Sequence, residues 1–265
     1  MGEARLCRDR YGNSRYEYRY GPDLLPGPDD GSVDIWRYQA LLPRPDVPAR
    51  YPLTVGGTPL REPRQLRKTL GLPGLWLKDE TTGPSASNKD RATALVLDEG
   101  LRTGVRTVTT ASTGNAAIAT AIGGAATGTA VVIFVPADCD PAKVEVMTRA
   151  GAHVFRVVEG YRAAFDLSCR AAGSLGWLDR NTGVNPRTIE GKKTVSFEVW
   201  EQLGRRAPDV MVVPVGDGPT LLGAAKGFRE LVACGAIRRP PRIVAVQAEG
   251  CAPLAARWRG ERPDP

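Results

Sequence analysis

Three short runs of this sequence carry residue types that could do chemistry. The first is Pro84-Ser85-Ala86-Ser87-Asn88-Lys89-Asp90-Arg91-Ala92. It stands between a strand-like run, Leu75-Trp76-Leu77-Lys78, and a helical stretch over 92–97, so it delivers Lys89 to a helix start. The helix dipole and unpaired N–H groups there favour an anion and oppose an ammonium. That lowers the proton affinity of the lysine, and a lysine that works as an amine needs this. Read alone, a Lys-Asp-Arg run is more often a solvated face. The second run is Thr110-Ala111-Ser112-Thr113-Gly114-Asn115-Ala116-Ala117. Small hydroxyl residues before a helix N-terminus suit a carboxylate, although an ordinary N-cap explains them too. The third is Val212-Val213-Pro214-Val215-Gly216-Asp217-Gly218-Pro219-Thr220. Its glycines let the backbone approach an anion, and the following helix adds its dipole. Pro219 has no N–H to give, but the Thr220 hydroxyl and the Leu221 N–H could serve instead. Asp217 is expected to point away from the anion. A lone Gly-x-Gly is otherwise a tight turn.

The elements around these runs alternate. Residues 107–110 read as a strand, 115–123 as an Ala-rich helix and 130–135 as a buried strand. A helix over 141–150 has Pro at its start and Gly151 at its end, and 153–158 is a strand again. A helix over 161–173 follows, and a later strand covers 242–247. Strands separated by helices imply parallel βαβ units with right-handed crossovers. Gly56-Gly57-Thr58-Pro59-Leu60 is a turn into an extended segment, and 66–70 is a short helix end closed by Gly71. The polar run Glu190-Gly191-Lys192-Lys193-Thr194 reads as the capped start of an amphipathic helix. Residues 1–34 show little periodicity. Asp34-Ile35-Trp36-Arg37-Tyr38, then Leu41-Leu42-Pro43, reads as a hydrophobic clip lying on the domain surface. His153, the only histidine, falls outside all three runs and is expected to be structural.

The chain has 265 residues, enough for one large or two modest domains. It is 42% hydrophobic and 25% charged, as an ordinary globular protein is. No apolar run is long enough to cross a bilayer, and the N-terminus lacks an apolar signal core. Met1-Gly2 opens like a myristoylation site, but Leu6 stands where Ser or Thr is required. A cytoplasmic protein is expected. The net charge is +7, yet the arginines are scattered and aromatics make up 6%, which argues against a nucleic-acid partner. Five scattered cysteines fit reduced thiols, not a disulfide frame or a metal site.

Lysine loop, Ser-Thr-Gly-Asn loop and Gly-Asp-Gly loop, in that order and each between a strand and a helix, form a combination stronger than any one of them. In this the sequence resembles the fold-type II pyridoxal-phosphate enzymes, and within them threonine synthase most closely, over about residues 36–254. Asn185-Pro186, the 190–194 run, Phe197-Glu198, Lys226-Gly227-Phe228 and Gln247-Ala248-Glu249-Gly250 carry the likeness to threonine synthase. The resemblance implies an α/β fold of two Rossmann-like lobes with pyridoxal 5'-phosphate between them. An N-terminal arm would span 1–50, a large lobe 51–104 with 186–265, and a small lobe 105–185. Lys89 would be the Schiff-base lysine and, once released, the proton carrier. Asn115 would bond the cofactor's ring hydroxyl. Gly216, Asp217, Gly218, Pro219, Thr220 and Leu221 would cradle its phosphate. Ser112, Thr113 and Gly114 would clamp the substrate α-carboxylate, with Ser87 and Asn88 beside the phosphates.

The implied reaction converts O-phospho-L-homoserine and water to L-threonine and phosphate, in a homodimer. Two other readings remain: a dehydratase or β-replacement enzyme on serine, threonine or an activated serine, and an inactive binding protein. Leu6-Cys7-Arg8 and Tyr11-Gly12 resemble the remains of a zinc ribbon, but one cysteine cannot hold the metal. Family members continue well past the position of Pro265. The expectation is therefore an incomplete large lobe, no partner for the pyridine nitrogen, and uncovered apolar surface that favours self-association.

Overall fold

The computed structural model describes residues 4–8, 14–27, 31–44 and 48–261. Met1-Gly2, Tyr11-Gly12 and the last four residues, for which expectations were stated, lie outside the described residues. Strands β1 (Arg5–Arg8) and β2 (Ser14–Glu17) pair as an antiparallel hairpin. A 3-10 segment, Ile35–Leu41, leads to β3 (Leu60–Arg61), which pairs antiparallel with β4 (Leu77–Lys78) across helix α1 (Arg64–Leu70). Helix α2 (Lys89–Thr103) follows. Then come β5 (Thr107–Ala111), α3 (Asn115–Thr127), β6 (Ala130–Pro136), α4 (Pro141–Arg149), β7 (His153–Val157), α5 (Gly160–Leu175) and β8 (Leu178–Asp179). These four strands form one parallel sheet in the order β7-β6-β5-β8. Helix α6 (Arg187–Gln202), β9 (Val210–Pro214), α7 (Pro219–Ala233), β10 (Arg242–Val246) and α8 (Pro253–Trp258) complete the chain, with β9 and β10 paired in parallel.

The continuous apolar run of β6 follows from its place in the sheet. Val131, Ile133 and Val135 face one core with Val108, Ala117, Ala121 and Met147. Val132 and Phe134 face another with Ala111 and Ala164. A parallel strand covered on both faces has no polar side to show. A separate core lies around Phe197, Trp200, Phe228 and Leu231, and it takes in Tyr16, Tyr18, Leu24, Tyr38 and Leu41. The N-terminal residues are thus structured, although their sequence has no period. Their tyrosines bury rings and donate hydroxyls to acids: Tyr18 to Glu190 at 2.8 Å, Tyr38 to Glu201 at 2.5 Å. Ile35, Tyr38, Leu41 and Leu42 are fully buried, so this segment is a part of the core and not a surface clip.

Helix α6 also departs from the sequence reading. The 190–194 run does not cap it but lies inside it, and nearly every residue from 190 to 200 is buried. Lys193 donates to Glu190 at 2.6 Å and to Glu230 of α7 at 3.0 Å, and Lys226 of α7 also pairs with Glu190. The charges meet inside the protein because each has a partner there. Glycines set the helix crossings. A Cβ on Gly191 would stand 2.2 Å from the Arg91 carbonyl oxygen of α2, and one on Gly227 2.5 Å from that of Lys193. His153 stands exposed on the edge strand β7. All five cysteines are free, and no helix among the described residues is long and apolar enough to cross a membrane.

Candidate active site

Lys89 is the first residue of α2. The Lys-Asp-Arg run is not a solvated face, since Asp90 and Arg91 are buried. Asp90 accepts from the Ser85 N–H at 2.9 Å, which folds the loop back on the helix start. Arg91 donates to Glu80 (2.7 Å to each oxygen) and to Glu198 (2.5 and 2.8 Å). Lys78 reaches Glu198 at 2.6 Å, and Gly57 N–H donates to it at 3.0 Å. The Gly56-Gly57 turn, β4, α2 and α6 are therefore joined at one buried point next to Lys89. Within the loop, Ala86 takes a left-handed conformation at φ 52, which a residue with a Cβ adopts only when its surroundings impose it.

The Lys89 amine donates to Asn88 Oδ1 at 2.6 Å. Burial, and then the Arg180 guanidinium, holds its proton affinity below the usual lysine value, against the pull of Asp217 and Glu80. The lowered proton affinity expected of this lysine is present, and burial is its largest cause.

The second loop leaves the end of β5. Ser112 Oγ accepts from the Gly114 N–H at 3.3 Å, and α3 begins at Asn115. Asn181 secures the loop's base, because its Oδ1 accepts from Ala111 N–H (2.7 Å) and Thr110 Oγ1 (3.1 Å). A cavity of about 320 Å³ brings Ser112 together with Tyr161, Asn181, Thr182, Asp217 and Pro219. Thr113 and Gly114 are half-buried and do not line it, and Asn115 is exposed.

The third loop joins β9 to α7. Gly218, at φ 92, is the residue before the helix, and nothing lies within 4 Å of where its Cβ would be. Thr220 Oγ1 accepts from Asn88 Nδ2 at 3.4 Å, which ties this loop to the lysine loop. Leu221 packs on Val195, Val213 and Ala224. Asp217 acts on Lys89, Lys192 and Tyr161, so it faces the two other loops. A larger cavity of about 840 Å³ is lined by Asn88, Lys192, Thr220, Val195 and Ala224.

Three residues of this region were missed by the sequence reading. Asn181 and Arg180 follow β8, a two-residue strand too short to show a pattern. Arg180 is fully buried and donates to Thr93, to Thr182 and to the Lys89 carbonyl. Burial brings its proton affinity down to about 10. Lys192 is buried on α6, and burial with Arg180 and Lys89 brings it down to about 6. The adjacent Lys192-Lys193 pair was visible in sequence, but which lysine lacks an acid was not. A half-buried amine, an open left-handed glycine before a helix, and buried cations around them fit a phosphorylated aldehyde cofactor.

Residues 51–265 match the family model described as "Pyridoxal-phosphate dependent enzyme". The chain belongs to this family. Among curated relatives of this pyridoxal-phosphate dependent enzyme is the threonine synthase of Methanosarcina acetivorans. It is 35% identical over 223 residues, covering 83% of this chain and 54% of the relative. That of Methanocaldococcus jannaschii is 32% identical over 233 residues, covering 88% of this chain and 57% of the relative. The chain thus spans little more than half the length of these relatives. Among solved structures, Entamoeba histolytica cysteine synthase superposes with a TM-score of 0.67 at 23% identity, over 84% of this chain and 66% of that one. Maize serine racemase does so at 0.63 and 24% identity, over 78% and 61%. The α/β architecture with its parallel sheet is the fold-type II arrangement of these enzymes.

Proposed function

We propose that this chain carries the cofactor and substrate loops of a threonine synthase-like enzyme. It would turn O-phospho-L-homoserine and water into L-threonine and phosphate. The observation that carries the reading is Lys89, an amine of lowered proton affinity at a helix start, facing the loop that precedes α7. The threonine synthase relatives support the substrate class.

Lys89 holds the cofactor aldehyde and later moves protons at its Nζ. Pyridoxal phosphate, when bound, supplies the electron withdrawal that makes the substrate's α and β protons removable. Gly216, Gly218, Thr220 and Leu221 offer backbone and hydroxyl donors to the cofactor phosphate at the positive end of α7, while Pro219 presets that turn. Asp217 stands beside the two amines as their counter-charge. Ser112, Thr113 and the Gly114 N–H, which Ser112 Oγ holds in the ligand-free protein, would orient the substrate carboxylate, and Asn115 would hydrogen-bond the cofactor's ring hydroxyl. Ser87 and Asn88 lie on the phosphate side. Phosphate departs from the γ carbon, and water gives its hydroxyl to the β carbon, so the overall reaction is a substitution of phosphate by water with the hydroxyl moved one carbon. We further propose a homodimer, and a division of the cofactor lobe (51–104 with 186–265) from the substrate lobe (105–185).

Borohydride reduction of the protein loaded with pyridoxal phosphate, followed by peptide mapping, should label Lys89. Phosphate release from O-phospho-L-homoserine, with threonine formed in equal amount, should then be seen. A label on Lys78, Lys192 or Lys193 would sink the assignment of the lysine. Turnover of serine or O-acetylserine in place of the phosphorylated substrate would redirect the reading to a dehydratase or β-replacement enzyme.

A further inference from the structure

Helix α6 buries one amine with no hydrogen-bond or ion-pair partner among the described residues. Lys192 is 3% exposed, and among the described residues it has no hydrogen bond and no ion pair. Its neighbour Lys193, equally buried, has Glu190 and Glu230. A buried amine without a partner is unfavourable whether it keeps its proton or sheds it, so nothing in the packing alone accounts for it. The place of Lys192 does. Its Cβ lies against Gly223 of α7, where an added Cβ would come within 2.8 Å, so the side chain leaves α6 beside the first half of α7. It lines the larger cavity together with Asn88 and Thr220, the pair that joins the lysine loop to the 216–221 loop.

The charges that act on Lys192 are Arg180 after β8, Lys89 at the start of α2 and Asp217 before α7. With Lys192 protonated, three cations face one carboxylate, which leaves two positive charges for an incoming dianion.

We propose that Lys192 is a phosphate-binding residue, whose Nζ donates to a phosphate monoester dianion seated beside Asn88 and Thr220 at the start of α7. The inference rests on the reading of the 216–221 loop as a phosphate cradle. The phosphate belongs either to the cofactor or to the substrate. In the ligand-free protein the amine loses its proton at about pH 6, because burial, Arg180 and Lys89 oppose the charge. A dianion reverses that balance, so binding at pH 7.5 takes up a proton.

The test compares wild type with Lys192→Met, which keeps the length of the chain and removes the charge. Sulfate, which does not titrate near neutrality, is bound calorimetrically in two buffers of different ionisation heat. Wild type should take up close to one proton, and the variant should not. Equilibrium affinities for pyridoxal phosphate and pyridoxal are then compared. If the cofactor's phosphate is the ligand, the variant loses affinity for pyridoxal phosphate about 10- to 100-fold, as for a charge-assisted hydrogen bond, and keeps its affinity for pyridoxal. If the substrate's phosphate is the ligand, the cofactor-loaded variant loses its preference for O-phospho-L-homoserine over homoserine by the same factor.

Ligand-free Lys192→Met should melt no lower than wild type, whereas a merely structural lysine would be missed in the ligand-free state. The proposal is overturned if neither affinity ratio moves by more than about threefold, well under one charge-assisted bond, or if the variant loses ligand-free stability and no phosphate preference. Borohydride labelling keeps the two readings apart. Lys89 labelled in both proteins, with unchanged ratios, leaves the proposed function standing and removes this inference. Lys89 unlabelled in wild type removes both.

Discussion

Arg91 stands two positions beyond Lys89 and holds both oxygens of Glu80 and of Glu198. Burial works against the Glu198 charge, but Arg91 and Lys78 hold its carboxyl down at about 2. Arg91→Met leaves two carboxylates facing each other with only Lys78 between them. The expected loss is about 3–5 kcal/mol in urea denaturation, with Lys89 displaced as well. Lys192 gives a pH dependence. Its unfolded form keeps the proton to about 10.5, and its folded form releases it at about 6. Between those values the unfolded state binds the extra proton, so ligand-free stability should climb as pH rises from about 6. Lys78 and Lys89, also lowered by burial, act in the same direction. Lys192→Met should flatten the climb in thermal melts taken from pH 6 to 9, and an unchanged slope would show that Lys192 does not carry it. The position of Lys89 at a helix start was legible in sequence because a turn-rich loop between two periodic stretches leaves little choice. The burial of Asp90 and Arg91 was not, because their partners Glu80 and Glu198 come from other elements, one of them 107 positions away in the chain.

Helices α2, α6 and α7 cross where glycines let backbones touch. Gly191→Ala would drive a methyl group into the Arg91 carbonyl, and neither backbone can yield without parting α2 from α6. A loss of about 1–3 kcal/mol is expected on unfolding, together with weaker cofactor binding, because the same crossing aims Lys89. Gly218 behaves differently, for open space surrounds it. Gly218→Val would meet no protein atom but would be strained at φ 92 and would fill the approach to the α7 amides. Cofactor affinity should fall by at least tenfold, while the unfolding free energy drops by only the roughly 1–2 kcal/mol of a left-handed side chain. Unchanged affinity would place the phosphate elsewhere. The strands and helices from Thr107 to Leu175 were legible because each is long and strongly patterned: the expected helix at 115–123 runs over Asn115–Thr127, the strand at 130–135 over Ala130–Pro136. The two-residue β8 and the hairpin of β1 and β2 were not, since short elements have no period to read. Helix α6 was misread because buried ion pairs look, residue by residue, like a solvated cap.

At the scale of the molecule, the four-stranded sheet carries the 112–115 loop, the β9–β10 pair carries the 216–221 loop, and β4 with α2 carries the lysine loop. The alternating pattern foretold the parallel sheet, but not that Tyr16, Tyr18, Leu24, Tyr38 and Leu41 would join the core around Phe197, because tyrosines satisfied by distant acids leave no local signature. Apolar side chains stand open on β9 and β10: Val212 is 62% exposed and Val246 49%. Such a face favours self-association. Sedimentation at rising concentration should show it, and Val212→Lys should reduce it; a monodisperse wild type would argue against. The same pair of strands has a second consequence. Among the described residues β9 pairs only with β10, and β10 only with β9, so each strand has an outer row of amides with no strand beside it. Those amides should trade their hydrogens for deuterium through small local openings, long before the amides of β5 and β6 do so. The 216–221 loop hangs from the end of this weakly held ribbon. Any phosphate that bridges the loop to α2 and α6 would then slow deuterium uptake in β9 itself, several residues from the nearest contact, and the depth of that protection would report the binding free energy directly.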